Sequence, residues 1–378
     1  MVTYPAEWNE KTFIEFMKIK RGASPRPIES YLTSSTDGVN WIKIGDAPRY
    51  GKYIISTAER ITPKGALHSV RVYPGDFILS NSMSFGRPYI LNIDGCIHDG
   101  WLRLYDFQSE ATDEFLYYLL SSSYVQRQYE SFAAGSGVQN LNKEVVKKVN
   151  VVLPSIPEQE EIARTLSLFD TYIDDLSELI EKKKSIRDGA LKDLINGKIR
   201  LDGYDYEWQE GKIGDVLKIL HGKNQRAVES FNGKYPILGT GGIIGKAAEF
   251  LCDWECVLIG RKGTIDNPMY MDTPFWTIDT LYYSKPADNQ FVKWQYYLFC
   301  TIDWYDYTES SGRPSLAKKV IEAIPIKIPQ YEEQVKIAEV LSAMDKEIRD
   351  LETEQNKIIQ IREGAMDVLL TGRVRLAK

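Results

Sequence analysis

The sequence predicts a mixed α/β (α+β) protein in which two globular domains are joined by two long antiparallel helices that form a coiled coil. Three observations predict this fold: an internal repeat, a heptad pattern in the repeated segments, and β-rich runs between them. Residues 153–201 align without a gap on residues 328–376, so that Pro154 falls on Pro329, 175 residues later. Twenty of the 49 aligned positions are identical. Such identity indicates a duplicated unit with pseudo-twofold symmetry.

The start of each copy is repeated as well, with an offset of 200 residues. The matching residues are Trp8, Lys18, Ile19 and Gly22 in the first copy and Trp208, Lys218, Ile219 and Gly222 in the second. Because the offset falls from 200 to 175 along each copy, the second copy is 25 residues shorter between start and end. We therefore expect one shared architecture with two different recognition surfaces. The predicted segments are a first domain over 1–152, a helix over 153–201, a second domain over 202–327 and a second helix over 328–378.

Each domain is predicted to mix strands and helices. Short β-rich runs, such as DFILS in the first domain and CVLIG in the second, are separated by glycine, asparagine and proline. A helical stretch follows in each domain, over 114–130 and 290–304. The two domains are therefore predicted to be of mixed class with long loops.

The two repeated segments have the apolar spacing of a coiled coil. Apolar residues recur at alternating intervals of three and four, and both segments end at a glycine, Gly197 and Gly372. A long amphipathic helix cannot leave its apolar stripe in water, so we expect antiparallel pairing. The alternative is that each helix packs only on its own domain. The predicted seam residues are Ile162, Leu166, Phe169, Ile173, Leu176, Ile180, Ile337, Leu341, Met344, Ile348, Leu351 and Ile358.

Composition and charge narrow the functional classes. The 378 residues are 43% hydrophobic, which suffices for two domain cores. No apolar run reaches the roughly 20 residues that span a bilayer, and the start MVTYPAEWNEKTF lacks the features of a signal peptide, so we expect a cytoplasmic protein. The four cysteines and three histidines predict neither a disulfide framework nor a metal site. With a net charge of −6, a nucleic-acid partner would require local cation clusters or contacts from other subunits.

Catalytic motifs do not fit the chain. The run GTGGIIGKA at 239–247 is similar to a phosphate-binding loop, but Thr240 stands where that motif has its first glycine and Ala247 where it has its hydroxyl ligand. The run DNPM at 266–269 is a poor match to the Asn-Pro-Pro-Tyr loop of adenine methyltransferases. We therefore expect no catalytic residues and no enzymatic activity from this chain alone.

A family resemblance follows from the repeated motifs. They are EQxxIAxxLSxxD at 158–170, echoed at 333–345, and IRxGAxxxLxxG at 186–197, echoed at 361–372. With two divergent domains between these motifs, the chain resembles the specificity (S) subunit, HsdS, of type I restriction-modification systems over essentially its whole length. The resemblance implies two target recognition domains, each reading one half of a split double-stranded DNA sequence, and helices that set the spacing. It also implies two adenine-N6 methyltransferase (M) subunits carrying S-adenosylmethionine, and often two restriction (R) subunits that use ATP. No cofactor is expected in this chain.

Candidate DNA-binding residues lie on polar loops, because base edges are read by polar and basic side chains that enter a groove. One pair of loops follows DFILS and CVLIG, at positions that we expect to be equivalent in the two copies. A second pair precedes the helices, near DNA or at the joint with the helix, and Lys43, Tyr50, Lys52 and Tyr53 are candidates for phosphate contacts and stacking. The loop candidates are Asn81, Ser82, Ser84, Arg87, Gln139 and Asn140 in the first domain, and Arg261, Lys262, Thr264, Ser311 and Arg313 in the second.

Two other functions remain open at this stage. The chain is compatible with a two-headed, non-catalytic scaffold for protein or glycan partners, and with a methylation adaptor that acts without any nuclease. Acidic positions on the outer helix faces, Glu160, Glu161 and Asp174, are candidate methyltransferase contacts or simply solvated charges.

Overall fold

The computed structural model describes residues 4–48, 51–81, 86–134, 141–308 and 312–376. Its contacts divide the chain into two compact units. Unit 1 comprises Met1–Asp175 and Glu354–Lys378, and unit 2 comprises Leu176–Thr353. The division of the sequence into two domains and two helix segments stays a prediction.

Unit 1 combines short strands with short helices. Its strands are β1 (Asn9–Thr12), β2 (Lys18–Arg21), β3 (Val39–Ile42), β4 (Tyr53–Ile54), β5 (Glu59–Ile61), β6 (Val70–Val72), β7 (Phe77–Ser80), β8 (Pro88–Leu91), β9 (Gly95–Ile97), β10 (Trp101–Tyr105) and β11 (Asn150–Leu153). Its helices are α1 (Phe13–Phe16), α2 (Pro63–Ala66), α3 (Asp113–Ser121), α4 (Ser123–Ala134), α5 (Lys143–Val146) and the first half of α6 (Ile156–Ile195). Short 3-10 turns span Ile28–Ser30 and Ile44–Asp46.

The helix predicted over 114–130 is two helices. Ser122 lies between α3 and α4 with an extended backbone, and its hydroxyl accepts a hydrogen bond from the amide of Val125 at 3.3 Å. A serine that satisfies a free amide in the first turn favours a new helix start over continuation.

The five-stranded sheet of unit 1 has an apolar core on each of its two faces. The strand order is β2-β10-β7-β8-β4 in one sheet and β5-β3-β9-β6 in the other, and β1 pairs with β11. Along β7, Phe77 and Leu79 face the core that contains α3, whereas Ile78 faces the core against the second sheet. Because successive strand residues point to opposite faces, a sheet covered on both sides needs the continuous apolar run that DFILS provides.

Unit 2 repeats this arrangement. Its large sheet has the order β13-β19-β16-β17, its second sheet β15-β14-β18, and β12 pairs with β20. The strands are β12 (Gln209–Lys212), β13 (Leu217–His221), β14 (Tyr235–Gly239), β15 (Gly242–Ala247), β16 (Cys256–Gly260), β17 (Met269–Met271), β18 (Trp276–Thr277), β19 (Leu281–Pro286) and β20 (Pro325–Ile328). The helices are the second half of α6, α7 (Ile213–Val216), α8 (Val292–Thr301), α9 (Lys318–Ala323) and α10 (Tyr331–Leu369), which ends in unit 1, and a 3-10 turn spans Trp304–Tyr307. The predicted α+β class and the internal repeat are confirmed.

The repeated glycines at the start of each copy have one structural role. A Cβ atom at Gly22 would lie 2.0 Å from the carbonyl oxygen of His98, and one at Gly222 would lie 1.9 Å from that of Ile278. Both distances are far below van der Waals contact, so only glycine lets β2 and β13 approach the facing backbone.

Within unit 1, the first half of α6 lies antiparallel to the last part of α10. The Arg362 guanidinium is 2.7 Å from Asp170, and the Tyr172 hydroxyl donates to Glu354 at 2.6 Å. Residue numbers rise along α6 while they fall along α10, which fixes the direction. One apolar cluster contains residues of both helices, namely Ile162, Ala163, Leu166, Met366, Leu369 and Leu370.

Within unit 2, the second half of α6 pairs with the first part of α10 in the same sense. Lys183 lies 2.6 Å from Glu347, and Arg187 lies 3.6 Å from Asp345. The shared apolar residues are Leu191, Leu194, Ile195, Ile337, Ala338 and Leu341. The predicted antiparallel helix pair is therefore confirmed. In each unit the two long helices also pack on the globular part, because the same apolar clusters contain its strand and helix residues.

The predicted seam residues differ in burial. Gln355, the polar residue in the seam, donates to the carbonyl of Ile173 at 3.3 Å. The buried seam residues are Ile162, Leu166, Leu176, Ile180, Ile337, Leu341 and Ile348, and the partly exposed ones are Phe169, Ile173, Met344, Leu351 and Ile358.

Candidate nucleic-acid interface

Two of the predicted loops follow strands that occupy the same place in their sheets. β7 lies between β10 and β8, and β16 lies between β19 and β17. The next residue is Asn81 in unit 1 and Arg261 in unit 2. The Asn81 amide donates to the carbonyl of Gly100 at 3.0 Å, and the Arg261 amide donates to that of Thr280 at 2.8 Å. The two loops are structural counterparts.

Their side chains also make matching contacts. Asn81 Nδ2 donates to the carbonyl oxygen of Asp99 at 2.9 Å, and Arg261 Nη1 donates to that of Asp279 at 3.3 Å. Asn81 is 3% exposed, whereas Arg261 is only partly buried. Arg261 has further guanidinium donors for a base edge, while Asn81 holds its own loop in place.

The second pair of loops joins the first pair. The amide of Leu141 donates to the carbonyl of Asn81 at 3.0 Å, and the amide of Leu316 donates to that of Arg261 at 2.9 Å. In unit 2 an isolated β-bridge also links Lys262 to Ser315. In unit 2 the structure therefore brings together the candidates Arg261 and Arg313, which lie 52 residues apart in the sequence.

The joined loops of unit 2 form a surface rich in positive charge, which we name the unit 2 basic loop (Arg261, Lys262, Thr264 and Arg313). Lys262, Thr264 and Arg313 are exposed, and the Arg313 guanidinium lies against Gly263. In the described part of the chain, the cations Arg261, Lys262 and Arg313 form no ion pair with a carboxylate. Their charge is available to a polyanion.

The predicted phosphate-binding lysines of unit 1 are paired with carboxylates. Lys43 Nζ is 2.6 Å from a carboxylate oxygen of Glu59. Lys52 pairs with Glu114 and lies over the ring of Tyr53, 5.4 Å from its centre. Each lysine would have to leave or share its carboxylate to contact a phosphate.

Two tyrosines lie beside the unit 1 cations. The Arg87 guanidinium lies over the ring of the buried Tyr89, 5.1 Å from the ring centre. The Tyr53 hydroxyl donates to Glu114 at 2.8 Å, and burial, reinforced by that carboxylate, raises the pKa of Tyr53 to about 12. Tyr53 therefore stays a neutral ring with an exposed fraction of 39%. The predicted residues Tyr50, Ser82, Ser84, Gln139, Asn140 and Ser311 lie outside the described residues.

The sequence reasoning missed cations next to Asp99 in unit 1. Arg21 Nε donates to the Asp99 carbonyl at 3.1 Å, and the Arg26 guanidinium is 3.7 Å from its carboxylate. The Ser24 hydroxyl donates to that carboxylate at 2.9 Å and is the main cause of its lowered pKa. The sequence contains a signal for these residues, because they lie close to Gly22, which is repeated as Gly222.

The domains are held on the helices by a tyrosine–aspartate–arginine cluster in each unit. In unit 1 the Tyr118 hydroxyl donates to Asp170 at 2.5 Å, and Arg362 donates to the same carboxylate at 2.7 Å. In unit 2 the Tyr297 hydroxyl donates to Asp345 at 2.7 Å, and Arg187 is the corresponding cation. Burial is the main cause that raises the pKa of both tyrosines.

In each unit, a second repeated cluster joins the end of one long helix, the start of the other and the tryptophan at the start of the copy. In unit 2, Arg200 Nε donates to Glu333 at 2.7 Å and Trp208 Nε1 donates to the same carboxylate at 2.9 Å. In unit 1, Arg375 Nη2 donates to Glu158 at 2.9 Å, and its guanidinium lies over the ring of Trp8. These contacts explain why the two copies share these residues.

The family follows from comparison with known proteins. The model of the type I restriction modification DNA specificity domain matches residues 5–186 and again residues 206–361. The chain belongs to this family. Each match covers the strands that carry one of the two counterpart loops.

Specificity subunits of known systems are similar to this chain. The type I restriction enzyme MjaVIII specificity subunit of Methanocaldococcus jannaschii is 23% identical, over 98% of this chain and 94% of that relative. The crystal structure of the S subunit from M. genitalium superposes with a TM-score of 0.60 at 19% identity, covering 96% of both chains. A chain from a structure of complex assembly and conformational transition in the type I R-M system gives 0.65 at 17% identity, covering 98% of this chain and 100% of that one. These structures share the fold.

Within the described residues, this specificity chain has no group of three or more histidine, cysteine, aspartate or glutamate residues placed to hold a metal ion. All four cysteines are free, and the thiols of Cys252 and Cys256 are 3.9 Å apart. None of the described helices is both long and apolar enough to cross a membrane.

Proposed function

We propose that this specificity chain reads a bipartite, asymmetric double-stranded DNA target, one half with the loops of unit 1 and the other with the loops of unit 2. The observation that carries the proposal is the pair of counterpart loops at Asn81 and Arg261, which have the same backbone hydrogen bonds and different side chains. Arg261 offers guanidinium donors to a base edge, whereas Asn81 is buried and offers none. Unlike loop surfaces on a shared scaffold favour two different half-sites.

The charge distribution supports a DNA partner despite the net charge of −6. Arg261, Lys262 and Arg313 converge on one surface of unit 2, and Arg21 and Arg26 lie beside the loop of unit 1. Local cation clusters of this kind supply phosphate contacts, and the remaining contacts come from partner subunits.

The paired helices α6 and α10 set the number of unread base pairs and bind two methyltransferase subunits. Their outer faces offer exposed acidic residues such as Glu160 and Asp174, and exposed apolar residues such as Leu168 and Ile186. Glu161 instead pairs with Arg164 at 2.5 Å. A mixed polar and apolar surface of this kind is typical of interfaces that assemble and separate.

Catalysis belongs to the partners in this proposal. The methyltransferase subunits carry S-adenosylmethionine and methylate adenine, and restriction subunits, where present, use ATP. This chain contributes recognition and no reacting group.

Methylome sequencing of cells that express this chain with its methyltransferase subunits tests the proposal. We expect one methylated motif made of two different half-sites separated by unread bases. Footprinting with and without the methyltransferase subunits is the companion measurement. A palindromic or continuous motif, or protection that does not depend on this chain, would contradict the proposal and favour a scaffold for other partners.

A further inference from the structure

The glycine-rich run that is similar to a phosphate-binding loop forms a β-hairpin in unit 2. Strands β14 and β15 pair from Tyr235 and Ala247 to Gly239 and Gly242, and Thr240 and Gly241 form the turn. Gly242 has a φ of +108°, a conformation that favours glycine and lets the turn close.

A bulge near the turn changes the direction of one side chain. Leu238 is opposite Ile243, but the next pair is Ile237 with Gly245, so that Ile244 is an extra residue in β15. In a regular strand, consecutive residues point to opposite faces, and a bulge breaks this alternation. As a result Ile243 is 72% exposed and Ile244 is 53% exposed.

This hairpin tip (residues 239–244) is connected to the unit 2 basic loop through the turn at residues 278–280. The amide of Ile278 donates to the carbonyl of Leu238 at 3.2 Å. The next residue, Asp279, accepts from the Arg261 guanidinium, and Thr280 accepts from the Arg261 amide. The exposed isoleucines and Arg261 are thus held on adjoining parts of one rigid scaffold.

A further cation lies at the same turn. The amide of Lys223 donates to the carbonyl of Thr277 at 2.8 Å, and Lys223 is exposed. One carboxylate is near the hairpin as well, since a Cβ atom at Gly245 would lie 3.6 Å from Glu229 Oε1. Exposed isoleucines on a scaffold that also carries Arg261 and Lys223 favour a partner that presents negative charge and apolar groups together. The major groove of DNA does so, because thymine methyl groups lie between the phosphate backbones.

We infer that the hairpin tip enters the major groove and that Ile243 and Ile244 contact thymine methyl groups beside the base read by Arg261. A two-stranded β-ribbon fits that groove. The counterpart strand of unit 1, β5, has Glu59 and Arg60 at its surface and Ile61 fully buried, so this readout belongs to one half-site. The inference rests on the proposed function and adds the base type that unit 2 selects.

Replacement of thymine by uracil tests the inference, because uracil lacks the methyl group but pairs in the same way. The purified complex of this chain with its methyltransferase subunits is titrated with duplexes that carry the methylated motif and one uracil at each thymine in turn. We expect about fourfold weaker binding at one or two thymines of one half-site, which corresponds to losing the burial of one methyl group.

The variants Ile243→Ser and Ile244→Ser identify the side chains responsible. They should bind the thymine duplex about fourfold more weakly than wild type and lose the preference for thymine over uracil at those positions. Ile199→Ser is the matched control: Ile199 is 53% exposed and hydrogen-bonded through its amide to Asp193, and its variant should keep the full preference.

The inference would be overturned if the wild-type complex bound uracil and thymine duplexes equally at every position. An unchanged thymine preference in both hairpin variants would also overturn it, as would a motif with no A·T pair in the half-site that unit 2 reads. Loss of methyltransferase subunits from the hairpin variants with an intact thymine preference would assign the tip to a protein contact instead. Failure of the proposed function looks different, because the wild-type complex would then not select the motif at all.

Discussion

Unit 1 and unit 2 use one scaffold for two loops that differ in how their side chains are engaged. Asn81 and Arg261 follow counterpart strands and make the same backbone hydrogen bonds. Asn81 is buried, and Lys43 and Lys52 of unit 1 are paired with carboxylates. The cations of the unit 2 basic loop have no carboxylate partner among the described residues. The comparison shows that the backbone framework is shared by the two units while the loop side chains differ. The side chains can therefore change without a change of framework.

The largest effect should come from the shared framework. Gly22→Ala and Gly222→Ala each place a Cβ atom about 2 Å from a carbonyl oxygen, and we expect each to lower the free energy of unfolding by about 3 kcal/mol. Gly45→Ala is the control, since a Cβ there meets no atom within 4 Å. Denaturant unfolding measures the three variants. A large loss in only one of the two units would contradict a common framework.

The next largest effect should come from the loop side chains, because Arg261 and Asn81 are expected to act on different properties. Arg261→Ala should cost about 1 to 3 kcal/mol of discrimination at one half-site with little change in stability. Asn81→Ala should instead lower stability by about 1 kcal/mol, because a buried hydrogen bond to Asp99 is lost. Competition binding with single-base variants of the motif, together with thermal unfolding, distinguishes them. Unchanged discrimination in Arg261→Ala would remove this residue from the reading surface.

The tyrosine–aspartate–arginine clusters should differ in strength. The arginine lies 2.7 Å from Asp170 in unit 1 but 3.6 Å from Asp345 in unit 2. We therefore expect Asp170→Asn to lower the free energy of unfolding by about 1 kcal/mol and Asp345→Asn by less, since both pairs are partly exposed. Equal losses in denaturant unfolding would mean that the tyrosine hydrogen bond dominates both clusters.

The smallest effect should come from single phosphate contacts. Lys262→Ala should weaken DNA binding about equally for all sequences and reduce the slope of log affinity against log salt by about 0.9. Lys43→Ala should change that slope less, because Lys43 is paired with Glu59. Salt titrations of both variants check this, and a larger change for Lys43 would reverse the assignment of free and engaged cations.

The sequence predicted the long helices and their repetition, because heptad spacing and a constant offset within the helix segments are periodic signals. It predicted the counterpart loops because each follows a short apolar strand. It did not predict the burial of Asn81 or the pairing of Lys52 with Glu114, since burial and long-range ion pairs depend on how distant segments meet. The helix break at Ser122 was missed for the opposite reason, because a single cap interrupted an otherwise periodic pattern. The roles of Arg200 and Glu333 also needed the structure, since their contact joins the end of one helix to the start of the other.

The most direct test of the account separates reading from spacing. Four residues, about one helical turn, are inserted into α6, and the methylated motif is mapped in cells that express the variant with its methyltransferase subunits. The account predicts that the unread spacer lengthens while both half-site sequences stay the same. Altered bases within either half-site would contradict it.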